Sequence, residues 1–502
     1  MADPITATVV DPGTRHLVRS LARFGITRAV SWVAGGALLV MLPRFLGDVS
    51  LGKLGFGLAL TGMCGLISDL GVTFFLVKEV ARTPARAGGL VVDGVALSLV
   101  LNTIASAAVL ALLAVGGYDA VTREVVLVLC ASMIVAGAGG AVQATLQGLH
   151  RMGTLAVSSV VTNYVNAAAV IAVLAAGGGV VLVALMSLVS NLAGLGVTTI
   201  DLTRRIRLRG RPRWRSCRRL ARGGLPFLVG QAALAVYGQI DAVMLSFFAT
   251  DAVIGWYSAA LRIISFVQFV PAMLTVVVYP MLSATAAQPE RFNTLVQRSI
   301  SIVLLINLPM AVGIGLLPDR AIHLLGYPPG FEHSVVPLIL LAVGTPMIAL
   351  DMVVATALSA ADRQRQWAMI GVVAAILNVL INLIAIPFTQ TVYHNGAIGA
   401  AAVTTLTELF LLVTGVCLLP RGAVDRVLLV RSLRCLSASA AMAALVVPLR
   451  GAPLAVPVLA GALIFGAASV GVRAVSKDEI RLVVEHAVRR RDSPRWTPLS
   501  TP

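Results

Sequence analysis

A chain of 502 residues with 58% hydrophobic and 12% charged residues and a mean hydropathy of +0.92 carries about half the charge that a soluble globular surface needs. It is therefore not a soluble protein. The net charge of +17 would suggest nucleic acid in a soluble domain, but the basic residues sit in loops between apolar tracts, and nucleic acid is set aside as a partner. The five cysteines (Cys64, Cys130, Cys217, Cys417, Cys435) form no Cys-x-x-Cys pair and no histidine has a metal-ligand neighbour spacing, which argues against a metal centre.

Residues 1–21 form a polar cytoplasmic N-terminus without a cleavable signal pattern. A bilayer-crossing helix takes about 20 apolar residues. On that criterion residues 22–203 hold six spans, at 22–43, 52–77, 89–115, 123–147, 154–176 and 179–201. Residues 204–222 follow as a basic cytoplasmic loop with ten arginines and no acid. Residues 223–419 hold six more spans, at 224–248, 253–282, 297–317, 334–360, 367–388 and 396–419, and residues 420–473 hold two, at 431–449 and 453–472. The tail, 474–502, is basic, and 477–491 has the spacing of an amphipathic surface helix. The expected fold is an all-α polytopic membrane protein of about 14 transmembrane helices, built as two six-helix lobes plus two C-terminal helices.

The distribution of basic residues checks that count, because a missed span would scramble the alternation of basic loops. With a cytoplasmic N-terminus, inner loops and tails carry 32 of the 39 Lys and Arg, outer loops carry five, and only Arg28 and Arg262 lie within spans. Both termini are then cytoplasmic, and the arginine loop fixes the orientation of its neighbours while touching anionic lipids. The two lobes echo each other at Leu21-Ala-Arg-Phe-Gly25 and Leu220-Ala-Arg-Gly-Gly224, and again at Phe45-Leu-Gly-Asp-Val-Ser-Leu-Gly52 and Phe248-Ala-Thr-Asp-Ala-Val-Ile-Gly255. Six spans separate the copies, so the lobes would be related by an axis along the membrane normal.

At Gln239-Ile-Asp-Ala-Val-Met-Leu245, Ile254-Gly-Trp-Tyr-Ser-Ala-Ala-Leu-Arg262, Asn378-Val-Leu-Ile-Asn-Leu-Ile-Ala-Ile-Pro387 and Gly396-Ala-Ile-Gly-Ala-Ala401 the chain resembles the polysaccharide-export (Wzx-type) flippases. These belong to the multidrug/oligosaccharidyl-lipid/polysaccharide exporter superfamily, with the lipid II flippases and the multidrug extruders. The resemblance implies translocation of an undecaprenyl-pyrophosphate-linked oligosaccharide across the bacterial plasma membrane by alternating access. No enzyme activity and no cofactor are expected. A polysaccharide polymerase or glycosyltransferases are the protein partners it suggests.

Such a substrate asks for a wet polar path, fixed cations for the diphosphate, and an apolar groove for the lipid tail. Spans 13 and 14 are the candidates for the groove. For the diphosphate the candidates are Arg262, about nine residues into span 8, Arg28, about six into span 1, and Arg23 nearer the cytoplasm. A sugar-contacting wall would use Gln231, Tyr237, Gln239 and Tyr257. Asp241, Asn382 and Thr405 lie at similar depths, Asn378 shares the face of Asn382 at i, i+4, and the four offer hard oxygens of the kind Na⁺ accepts, in a constellation similar to that of lipid II flippases. Glu408, near mid-membrane, is the candidate proton carrier. Two readings of this set stay open: Na⁺ or H⁺ coupling, or a structural network in which Asp241 pairs with Arg262. The rival functions are a lipid II flippase, a multidrug or cation antiporter of the same fold, and a membrane glycosyltransferase or polymerase.

Overall fold

The computed structural model describes residues 12–208 and 210–472; the side chains of 12–31, Pro226, Val229 and Leu234 lie outside the described set, as do residues 1–11, 209 and 473–502. The surface helix expected at 477–491 falls outside the described residues. The described chain is helical and contains no strand.

The first six spans are supplied by α1 (Pro12–Ser68), α2 (Val72–Arg82), α3 (Ala87–Val115), α4 (Ala120–Gly148), α5 (Met152–Ala175) and α6 (Val180–Arg205). The second set comprises α7 (Trp214–Phe248), α8 (Asp251–Val267), α9 (Phe269–Thr285), α10 (Pro289–Leu316), the short α11 (Pro318–Leu324), α12 (Val335–Ala360), α13 (Gln364–Tyr393) and α14 (Gly396–Leu418). Two more helices, α15 (Arg426–Val446) and α16 (Ala455–Gly471), follow. Among the described residues, eleven helices are long and apolar enough to cross a membrane, or twelve if α8 and α9, bent by 43°, form one span.

At 57 residues α1 is far too long for one crossing: a rise of about 1.5 Å per residue gives roughly 85 Å against about 30 Å of hydrocarbon. Gly47 divides it, at φ 72 and ψ 177, where a side chain would be strained. Counting α1 as two spans and adding the 17-residue α16 brings the total to the 14 read from the sequence.

The second span of each lobe, expected to be continuous, is broken. Residues 52–77 divide around Leu70 and Gly71, which have φ 48 and 69, before α2 starts. Residues 253–282 divide at Gln268, because Pro271 has no N–H to donate to Val267 and its ring crowds that carbonyl.

Packing follows the same plan twice. In the first lobe α4 packs on α3 and α6, α5 on α6, and α1 on α5. In the second α12 packs on α10 and α14, α13 on α14, and α7 on α13. The sequence echo is thus a structural repeat, with α15 and, more lightly, α16 resting on α10. The large core cluster crosses between lobes, joining Leu51, Phe56 and Leu129 to Ile254, Tyr257, Ala260 and Leu338.

The lobes meet at the arginine-poor end where α1 crosses α8. A methyl group on Gly52 would lie 1.7 Å from the Asp251 carbonyl oxygen, and one on Gly255 would lie 2.0 Å from that of Asp48. The contact is reciprocal, as a two-fold axis between the helices requires. Around it, the Trp256 indole donates to Asp48 at 3.0 Å, and Tyr118 and Ser246 share a hydrogen bond of 3.0 Å. Lys53 pairs with Asp119 of its own lobe and approaches Asp251 of the other at 3.8 Å. Burial pushes the Asp119 carboxyl up, but hydrogen bonds from Lys53 and Thr122 and the Lys53 charge outweigh it and hold the group below the usual carboxylate range. At the arginine-rich end α2 meets α7: Gly71 and Gly224 touch backbone to backbone, and Phe74 stacks on Phe227 at 5.9 Å.

Candidate functional site

Between the helices of the first lobe lies a cavity of about 570 Å³. Its walls come from α1 to α6, and Gln231 of α7 closes one side. The polar lining is almost entirely neutral: Asn102, Asn163, Asn166, Asn191, Thr61, Thr162, Ser132, Ser187 and Ser190, with Asp69 and Thr73 near its arginine-rich end. Several of these groups are held in place. Asn191 donates to Ser132 at 2.9 Å, and Ser68 donates to Asn102 at 2.9 Å. Gly137 leaves room for the Asn102 amide, which a methyl group there would meet at 2.3 Å. Asp69 accepts from the Thr73 hydroxyl at 2.7 Å and its backbone N–H at 3.3 Å. The Asn166 carbonyl oxygen is buried without a protein partner. A neutral wall of amides and hydroxyls suits a ligand that both donates and accepts hydrogen bonds in many directions.

This cavity was missed in the sequence because weight fell on ionisable groups and on the second lobe. A signal was present: Asn163 and Asn166 are spaced i, i+3 on α5, the counterpart of α13, which carries Asn378 and Asn382 at i, i+4.

The second lobe holds a compact cluster in the same relative place. Asp241 accepts from Tyr257 at 2.7 Å, from Thr404 at 2.7 Å and from Asn382 at 2.7 Å. Asn382 also donates to Asn378 at 3.1 Å. Thr405, the expected hydroxyl, points elsewhere and donates to the Leu340 carbonyl at 2.8 Å. Thr404 takes its place, since successive residues on a helix are about 100° apart and only one can face α7. The Asn382 carbonyl oxygen is buried and unpartnered. The cluster therefore has an orphan oxygen beside a carboxylate, and Asp241, Asn378, Asn382 and Thr404 would be the oxygen ligands of a bound Na⁺.

Glu408 lies apart from this set. It accepts a hydrogen bond from Tyr237 and sits beside buried Asp351, which places Tyr237 in an acid pair and not on an open wall. Tyr257 is 1% exposed, with its hydroxyl given to Asp241, so it too is withdrawn from the expected sugar wall. Gln239 is exposed, and only Gln231 of that group lines the first-lobe cavity. Arg262 is half-buried near Tyr327, whose hydroxyl donates to the Leu39 carbonyl at 2.7 Å. Among the described residues Arg262 makes no ion pair, and Asp241 is bound by neutral donors. The Arg23 and Arg28 side chains lie outside the described set.

An apolar groove of about 670 Å³ runs between α10, α12, α14 and α15. Leu304, Leu308, Ala311, Val343, Met347, Leu412, Leu429 and Leu436 line it, with Ser432 as a polar exception. The groove exists because α15 leans chiefly on α10 of the second lobe and packs far less closely on α12 and α14.

Two repeated lobes, each with a broken second span and a polar centre, form a fold that this chain shares with solved structures of membrane transporters and flippases. Solved structures with this fold include the lipid II flippase MurJ in an inward closed conformation, 14% identical, with a TM-score of 0.70 over 90% of this chain and 98% of that one. A multidrug resistance MATE family transporter of the MOP superfamily, inward-facing, is 17% identical with a TM-score of 0.63 over 79% of this chain and 97% of that one. An outward-facing MATE family transporter, also 17% identical, gives 0.53 over 79% of this chain and 95% of that one. The chain belongs to the polysaccharide biosynthesis protein family, whose model matches residues 33–286. The MatE family model matches residues 226–384, and no curated protein matches the chain. The family and these neighbours are transporters and flippases.

Proposed function

We propose that this chain is a flippase that turns an undecaprenyl-pyrophosphate-linked oligosaccharide from the inner to the outer face of the bacterial plasma membrane. The observation that carries the reading is the neutral amide and hydroxyl lining of the first-lobe cavity. A sugar presents alternating donors and acceptors, and a wall of asparagines, serines and threonines answers both without imposing charge. A cationic drug would favour carboxylates, and among the described residues this lining has only Asp69. Membership of a polysaccharide family points the same way.

The remaining parts take roles consistent with that cargo. The diphosphate would be met by Arg262, which has no acid neutralising it among the described residues, and by Arg23 and Arg28 on α1. The groove beside α15 would hold the polyprenyl tail while the head crosses. By the bias of Lys and Arg toward cytoplasmic loops, the arginine-rich end would face the cytoplasm. Closure at Gly52 and Gly255 then corresponds to an outer gate that is shut. The Asp241 cluster would be the coupling site, with Na⁺ or a proton as the ion, and Glu408 with Asp351 a second proton-binding pair.

Complementation tests the reading. Expression in bacterial strains lacking an O-antigen flippase should restore surface glycan, and Asn166→Leu with Asn191→Leu should abolish it while the protein still reaches the membrane. Rescue of a strain lacking the lipid II flippase would move the substrate to peptidoglycan precursor. Glycan rescue that survives both asparagine substitutions would overturn the role given to the cavity.

A further inference from the structure

The loop between α6 and α7 is packed against the first lobe. The Asp93 carboxylate, 1% exposed on α3, accepts the Arg213 backbone N–H at 2.8 Å and lies 3.4 Å from its guanidinium. The carbonyl of Arg207 sits where a methyl group on Gly88 would reach to 2.4 Å. Docking the loop in this way opens a basin of about 1090 Å³ on the arginine-rich end. Arg86, Arg211, Arg213, Arg215 and Arg219 line it, and among the described residues no carboxylate does.

Three observations make the basin a built anion site and not a solvated charge run. First, α7 is 35 residues long and starts here, so the first-turn amides of Trp214 and Arg215 have no helical carbonyl to bind. Second, Ser216 lines the basin, is only 9% exposed, and its buried hydroxyl has no hydrogen-bond partner among the described residues. Third, of the five arginines only Arg213 and Arg219 are paired with acids among the described residues, Arg219 with Glu79 at 3.5 Å. Arg86, Arg211 and Arg215 stay uncompensated. Planar guanidinium donors, free helix amides and a hydroxyl together are the recognition chemistry of a phosphate group.

We propose that this basin is a phosphate-binding site, separate from the first-lobe cavity, that takes the headgroup of an anionic phospholipid of the adjoining leaflet. The lipid source is favoured by the rim. Trp214, 75% exposed, stands between Arg213 and Arg215, and Leu208 is 46% exposed one turn of loop earlier. An aromatic and an aliphatic side chain among arginines belong at the headgroup layer, where they insert beside acyl chains. Bound there, the phosphate would touch Arg86, which follows α2 of the first lobe, and Arg215 of α7, which begins the second. The headgroup would thus tie the two lobes together at this end.

Native mass spectrometry of the purified full chain in detergent tests the site, using dioleoylphosphatidylglycerol, dioleoylphosphatidylcholine and inorganic pyrophosphate as probes. Phosphatidylglycerol should be retained well beyond phosphatidylcholine, and Arg86→Gln with Arg215→Gln should lower its retention about tenfold, as expected for two lost ion pairs between exposed guanidinium groups and a phosphate. Ser216→Ala should lower it several-fold. The control pair Arg151→Gln with Arg204→Gln, at a second basic hollow beside α5 and α6, should leave it unchanged. Equal losses from both arginine pairs, or equal retention of the two lipids, would overturn the site. Retention of pyrophosphate without phosphatidylglycerol would overturn the lipid as its source.

Discussion

Thr404 stands at the centre of the second-lobe cluster, where its hydroxyl meets both Asp241 at 2.7 Å and Tyr257 at 3.1 Å. Its neighbour Thr405 bonds only the Leu340 carbonyl. The two threonines therefore make a matched pair for asking whether the cluster couples transport to an ion. Thr404→Val should weaken the dependence of transport on a Na⁺ or proton gradient by on the order of tenfold, since about 1–3 kcal/mol attends an unsatisfied buried partner. Thr405→Val should leave that dependence alone. Proteoliposome transport measured against imposed gradients reads both, and equal responses would sink the coupling role. The pair also shows what was legible in the chain. Depth along a helix follows from residue count, so Asp241 and Asn382 could be placed at one level from the sequence, with Asn378 on the same face one turn away. Facing does not follow, because it depends on how each helix is rotated in its lobe. That is why Thr405 was expected where Thr404 stands, and why Tyr237 and Tyr257 were expected on a wall they have left.

Helices carry the next level of constraint, and the crossing of α1 with α8 is the tightest. Gly52 and Gly255 occupy matching positions in the two lobe echoes, each against the other helix's backbone. The echo was visible in sequence, but its purpose was not, because a shared Phe-x-x-Asp-x-x-x-Gly pattern does not say which helices cross. The breaks in the second spans were hidden for a related reason: Gly71 and Pro271 sit inside runs whose hydropathy alone favours continuity. Any side chain at the crossing has to part the lobes at the arginine-poor end. Gly52→Ala should therefore disfavour the closed gate by about 1–3 kcal/mol of overpacking, shifting the balance roughly 5- to 150-fold toward opening there. Gly62→Ala, which meets nothing within 4 Å, serves as the control. Disulfide trapping between cysteines placed at Val49 and Ala252 would report it. Unchanged trapping in Gly52→Ala would mean that this crossing is not the gate.

At the scale of the molecule, the two lobes account for a polar path, and under the proposed function the groove beside the appended pair α15 and α16 would take the polyprenyl tail that such a path cannot hold. The pair is anchored at one end, where Arg320 donates to the carbonyls of Arg450 and Ala452. From there α15 leans on α10 and leaves a groove open beside α12 and α14. Twelve spans would suffice for a cargo that enters the path whole. A lipid-linked head needs its tail held outside the polar path, since each buried methylene gains about 0.8 kcal/mol only while it stays in an apolar setting. Filling the groove should then separate the two halves of the substrate. Ala311→Trp or Val343→Trp, both lining residues, should cut transport of a full-length undecaprenyl-linked glycan by on the order of tenfold, as the loss of one or two methylenes of contact predicts. The same head on a short prenyl chain, which does not reach the groove, should move at the unmodified rate. Proteoliposomes loaded with each lipid provide the comparison. Equal loss for both chains would place the groove's importance in packing, and equal transport of both would remove the tail from it.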